Sequence, residues 1–201
     1  MRIKFRAPQL FVYSPRGCKI RNLTYMSISH NIVRLEQQGK LVRYVPKRTA
    51  RHSKRRLFMA VRMNDSLCDP NSPVNLLVGR GEIEAALTLW TVGDRIYNNA
   101  KRQPGFLKRL ESPPPEVWAI RITNPNPQLR VFGRFAEPDT FVAMDIYTRQ
   151  YLGRKKSKAW KNACAQCVFD WRELFPQYEP FIGRRVSDYV TENCDDFALA
   201  K

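Results

Sequence analysis

A chain of 201 residues with 43% hydrophobic content can fill one ordinary core or two small ones, which excludes an intrinsically disordered protein. Its 35 Lys+Arg against 18 Asp+Glu leave a formal charge of +17, which points to polyanionic partners such as nucleic acid or acidic lipid. No run approaches the roughly 18 consecutive apolar residues of a membrane helix, no charged-then-apolar leader opens the chain, and five scattered cysteines do not make a secreted disulfide framework, so a cytoplasmic protein with reduced thiols and no membrane partner is expected.

The charge is unevenly spread. Residues 1 to 62 hold 16 Lys+Arg and only Glu36, a net +15, while the remaining 139 hold 19 and 17, a net +2. The turn-rich stretch from Asn64 to Pro73 lies between them, so a basic nucleic-acid-binding module over residues 1–63 and a second domain over residues 74–201 are expected. Within the first, Ile28, Ile32 and Leu35 recur at helical spacing between Met26 and Gln38, with Thr24 or Ser27 as cap and Gly39 as stop. Two strand-like runs, Lys40 to Val45 and Leu57 to Val61, flank a basic loop. That order, with the segment SISHNIVRLEQQGKLVRYV, resembles the recognition helix and wing of a winged helix-turn-helix. The resemblance implies base contacts from Ser29, His30, Asn31 and Arg34, with phosphate contacts from Arg43, Lys47, Arg48, Arg51, Lys54, Arg55 and Arg56. A plain basic hairpin arm docking on RNA fits the same residues. The two histidines, His30 and His52, have no carboxylate or thiol at ligand spacing, so neither metal nor other cofactor is expected.

Further along, Ile83, Ala86, Leu87 and Trp90 mark a helix over residues 82–92, and a second helical stretch is expected to run towards Leu110. Three strands follow, Val117 to Thr123, Leu129 to Phe135 and Thr140 to Tyr147, joined by short turns that make an antiparallel meander. Alternation puts Val117, Ala119 and Arg121 on one face, and Arg130, Phe132 and Arg134 together on the next strand. On the third strand Phe141, Ala143, Asp145 and Tyr147 are expected to point one way, with Arg149 continuing the parity. One register gathers Arg121, Arg130, Arg134 and Arg149 around Asp145 and Tyr147, a phosphate-sized constellation; a half-exposed sheet with surface arginines fits the same alternation.

Helical segments followed by VWAIRIT, LRVFGRF and TFVAMDIYTR resemble the helix-and-meander core of the RelE/HigB-like ribosome-dependent messenger RNA interferases, over about residues 82–160. The downstream LGRKKSKAW, with Arg154, Lys155, Lys156 and Lys158, is similar to the basic loop of the HigB branch. The resemblance implies metal-independent RNA cleavage by attack of a ribose 2′-hydroxyl, with Arg121, Arg130 and Arg149 on the scissile phosphate and an antitoxin protein as partner. No histidine follows residue 52, so deprotonation would fall to Asp145, Tyr147, Tyr151 or solvent. A last helix over residues 156–175 carries Trp160, Cys164, Cys167, Val168 and Trp171 on one face, which makes the cysteine pair a buried apolar one.

The expected fold class is therefore α+β: helices packed on a small antiparallel RelE-like meander sheet, preceded by a small basic winged-helix-like or hairpin module. The expected function is a toxin-like endoribonuclease acting on messenger RNA at the ribosome. The alternatives are a DNA-binding winged-helix regulator and a non-catalytic RNA- or ribosome-binding protein of phage or mobile-element origin.

Overall fold

The computed structural model describes residues 27–46, 53–96, 105–111, 115–123, 126–195 and 199. Helix α1 (Ile28–Gln37) begins where the Ser27 hydroxyl accepts the His30 amide, and it ends before Gly39, whose φ of +67° favours the one residue without a Cβ. Ile32 and Leu35 are buried on its inner face. Strands β1 (Leu41–Arg43) and β2 (Arg56–Ala60) pair antiparallel, as the two apolar runs required. The loop residues Lys47, Arg48, Arg51 and His52 lie outside the described residues.

The turn-rich stretch is mostly helical. It forms α2 (Val61–Cys68) and α3 (Pro73–Val78), followed by α4 (Arg80–Val92). Ser72 accepts the Asn75 amide and Pro73 takes the first helical position, so the residues that read as strand breakers are here a helix start. Met63, Leu67 and Val74 then point their apolar groups at the sheet.

The second helical stretch expected near Leu110 is instead strand β3 (Leu107–Glu111). Pairing with β4 (Val117–Ile122) stabilises it: Leu107 is buried opposite Ile120 while Lys108 faces out. Strands β5 (Leu129–Glu137) and β6 (Thr140–Thr148) complete the antiparallel meander. Short α5 (Arg149–Leu152), long α6 (Lys158–Leu174) and short α7 (Val186–Tyr189) follow.

The sheet order is β1-β2-β6-β5-β4-β3, and β2 joins β6 in parallel. Strands on both sides of the expected boundary between residues 63 and 74 therefore belong to one hydrogen-bonded sheet. The architecture is α+β, a six-stranded mixed sheet with helices on both faces. One face packs on α2, α3, α4 and α7 around Trp90, Trp118 and Phe135; the other packs on α1 and α6 around Phe132, Trp160 and Trp171. Cys164 and Cys167 are buried on the second face, where burial pushes the Cys164 thiol up to about 12 and raises that of Cys167 as well. Among the described residues no helix is long and apolar enough to cross a membrane, and no cluster of three or more metal-ligating side chains occurs.

Strict alternation fails on one strand, and the failure shapes the site. Phe132 pairs with Asp145 but Gly133 pairs with Ala143, so Met144 is an extra residue in β6. The bulge puts Phe141 and Ala143 on the α4 face and Met144 on the α6 face, and Tyr147 also packs on the α6 side. Phe141 and Ala143 are thus separated from Tyr147, against the parity expected. Gly133 opposite the bulge has no room for a side chain: a Cβ there would stand 2.3 Å from the Val142 carbonyl and 2.6 Å from the Phe141 ring.

Candidate functional site

Three strand ends on the α6 face converge at one end of the sheet. Arg121, near the end of β4, is the cross-strand partner of Arg130 at the start of β5, and Arg130 in turn opposes Tyr147 on β6. Arg149, one residue past β6, donates its amide to the Gln128 carbonyl over 2.7 Å, while the Gln128 side-chain oxygen accepts from Arg130 over 3.1 Å. Gln128 thus holds the Arg149 backbone through its carbonyl and the Arg130 guanidinium through its side chain. The Arg149 guanidinium lies over the Trp160 ring at 5.7 Å, a cation–π contact that holds the charge without neutralising it.

Arg130 is the centre of the group. It is only 4% exposed, and it also donates to the Leu129 carbonyl at 2.7 Å. Burial first, then the charges of Arg121 and Arg149, push its guanidinium down to about 10. The same two causes act on Arg121, with burial again ahead of Arg149. Lys108 on β3 is lowered by burial and then by Arg121, Lys155 and Arg130, which places two lysines within electrostatic reach of the arginines. Among the described residues none of these five cations forms an ion pair.

The opposite end of the sheet is built the other way. Arg56 pairs with Glu137 at 2.7 Å, and Lys54 with Glu192 at 3.0 Å. Arg55, expected to face phosphate, is 2% exposed and turns inward: it donates to the Asp94 and Glu192 carbonyls, approaches Asp139 at 3.8 Å and lies over the Trp90 ring. Arg134 is also internal, bonded to the Pro115 carbonyl and over the Trp171 ring, so it leaves the constellation that alternation had given it. Both arginines serve as polar anchors because Arg55, just before β2, and Arg134, within β5, face packed aromatic residues rather than solvent.

Asp145 and Tyr147 share a hydrogen bond beside Arg130. Arg62 at the start of α2 bridges Asp145 at 2.8 Å and Asp170 of α6 at 2.7 Å, tying the carboxylate down. Burial, followed by the Asp145 charge, raises the Tyr147 hydroxyl, which therefore keeps its proton at neutral pH. Tyr151 stacks on Tyr147 with ring centroids 6.0 Å apart and planes 10° from parallel, and it is 65% exposed. Arg154, Lys155 and Lys156 between α5 and α6, and Lys158 at the start of α6, are exposed next to this end.

On α1, Arg34 is exposed and donates to Asn31, while Ser29 donates to Glu137 at 2.5 Å and Asn31 is buried. Three of the four side chains expected at a DNA base edge, Ser29, Asn31 and Arg34, are thus engaged within the protein. Arg43 on β1 is exposed. The residues that alternation missed are Lys108, read as helical, and Gln128 and Trp160, which support the arginines. Lys108 could have been found from the out-facing position beside Leu107; the other two carry no local signal. Comparison with known proteins gives no matching family model, no matching curated protein and no matching solved structure.

Proposed function

We propose that the chain is an RNA-directed endoribonuclease of the RelE/HigB-like kind, acting on messenger RNA at the ribosome, with the Arg121–Arg130–Arg149 cluster as its phosphate site. The observation that carries this reading is Arg130: a buried guanidinium flanked by two others, with no ion-pair partner among the described residues. Folding such a group is costly unless an anion completes it, and a scissile phosphate is an anion of the right size.

In the reaction the ribose 2′-oxygen attacks phosphorus and the bond from phosphorus to the 5′-oxygen breaks, leaving a 2′,3′-cyclic phosphate and a 5′-hydroxyl. The three guanidiniums stabilise the charge that builds on the non-bridging oxygens. Tyr147, holding its proton, would supply it to the departing 5′-oxygen, and Asp145 or water would take the proton of the 2′-hydroxyl. Exposed Lys155, Lys156 and Lys158 would steer the flanking backbone. An antitoxin-like acidic partner covering the cluster fits the same charge.

Controlled expression in a bacterial host, with mapping of RNA 5′ ends on ribosome-bound messenger, tests the reading. Arg149→Ala and Arg121→Ala should each slow cleavage about 100- to 1000-fold, or roughly 3 to 4 kcal/mol, as for loss of one oxyanion donor. Exposed Arg172 on α6 is the control, and Arg172→Ala should cleave normally. A wild type that never cleaves RNA with or without ribosomes leaves the protein to a binding-only role.

A further inference from the structure

We propose that the five-cation cluster of Lys108, Arg121, Arg130, Arg149 and Lys155 is selective for compact dianions, taking a phosphomonoester in preference to the singly charged phosphodiester of an intact strand. This deepens the preceding reading by naming the charge state of the bound group, and it rests on that reading only for RNA as the source of the phosphate.

The argument starts from what the fold leaves out. At the Glu137 and Glu192 end of the sheet, cations that come together are met by carboxylates. At the Arg130 end the partners among the described residues are an amide oxygen, a backbone carbonyl and the Trp160 ring, all of which orient a guanidinium and none of which neutralises it. Arg130 at 4% exposure cannot rely on water for its solvation. Arg121 is its direct cross-strand partner, and the Arg149 backbone is bonded to Gln128 with its guanidinium over the Trp160 ring, so the fold brings all three arginines to one end of the sheet.

Under those conditions one negative charge does not saturate the site. A monoanion offsets the excess of a single guanidinium, and the remaining cations still repel one another across a medium of reduced dielectric. A second charge on the same small group is attracted by all of them at once. The same preference acts along the reaction: a diester carries one charge, whereas the five-coordinate state reached by 2′-oxyanion attack carries two. The site thus binds the altered group more tightly than the ground state, which is the condition for accelerating the step. It also implies that phosphomonoester ends act as inhibitors of the protein.

Calorimetric titration of the full-length protein with methyl phosphate and with dimethyl phosphate at pH 7.5 isolates one unit of charge on a common group. Methyl phosphate should bind at least about ten-fold more tightly, and sulfate, a dianion of similar size, should compete with it. Arg121→Ala and Arg149→Ala should each weaken methyl phosphate about ten-fold or more, while Arg172→Ala should not. Arg130→Met, which keeps the buried volume, should weaken it at least as much; if that variant does not fold, the two half-buried arginines carry the test. Equal affinity for the two esters, no saturable binding of either, or binding unchanged in Arg121→Ala and Arg149→Ala overturns the proposal. Cleavage of RNA without dianion preference would sink this inference and spare the reading above, whereas dianion preference in a protein that never cleaves RNA would do the reverse.

Discussion

Arg130 is a residue whose position opposes its own stability. Burial removes water, Arg121 and Arg149 add repulsion, and the compensating contacts are neutral. Replacing a buried ion pair or triad with apolar side chains of similar volume is often neutral or stabilising by about 1 to 4 kcal/mol, and a buried charge without a counter-ion has still less to lose. Arg130→Met should therefore raise the unfolding free energy measured in urea by about 1 kcal/mol or more at neutral pH, while cleavage and dianion binding are lost. A clear fall in stability would mean that the bonds to Leu129 and Gln128 outweigh the repulsion and that the arginine is structural. Glu116, just before β4, shows the contrasting solution. It is fully buried, sits at φ +59°, and is met by Arg109 at 2.7 Å, the Trp118 ring nitrogen at 2.6 Å and the Tyr189 hydroxyl at 2.7 Å. One buried charge is matched and the other, among the described residues, is not, and the unmatched one lies where three strand ends meet.

At the scale of elements, the bulge in β6 decides which residues can share the site. Without Met144 as the extra residue, a strand with regular alternation would carry Tyr147 on the face of Phe141 and Ala143, against α4. Gly133 permits the close approach of β5 and β6 that the bulge needs. Gly133→Ala should cost about 1 to 3 kcal/mol through overpacking against Phe141 and the Val142 carbonyl. Cleavage should fall even at temperatures where the variant remains folded, because the relation of Tyr147 to Arg130 changes. Urea melts alongside cleavage rates check this; a variant with unchanged stability would show that the two strands can separate freely at this point. Arg62 belongs to the same level. It reaches from α2 to Asp145 on β6 and Asp170 on α6, so its single guanidinium joins three elements.

Across the whole molecule, uncompensated charge is what a polyanion would sense. The first 26 residues contribute six Lys+Arg and no acidic residue, and the described part adds the cluster and the exposed lysines before α6. Affinity for single-stranded RNA should fall steeply and linearly as log K against log salt, with each phosphate contact contributing about 0.7 to the slope. Removing residues 1–26 should reduce that slope and weaken binding to all sequences alike, and a slope unchanged by the truncation would show that those six charges do not meet the strand. Removal of residues 1–62 is not an equivalent test, since β1 and β2 carry Leu41, Leu57 and Met59 into the cores on either face of the sheet. The alternation of Val117 to Arg121 and of Arg130 to Arg134, the helix ending at Gly39 and the apolar face of α6 were all legible in the sequence, because each follows from local periodicity and backbone sterics. By itself the sequence thus determined the amphipathic elements, the net charge and the presence of Arg121, Arg130 and Arg149 near strand ends. Only the tertiary structure decided that β2 pairs with β6, that residues 107–111 extend along β4, that Arg55 and Arg134 turn inward, and that no carboxylate among the described residues meets Arg130. Those outcomes depend on strand order, a bulge and long-range neutralisation, which are set by contacts between residues far apart in the chain and leave no period to read.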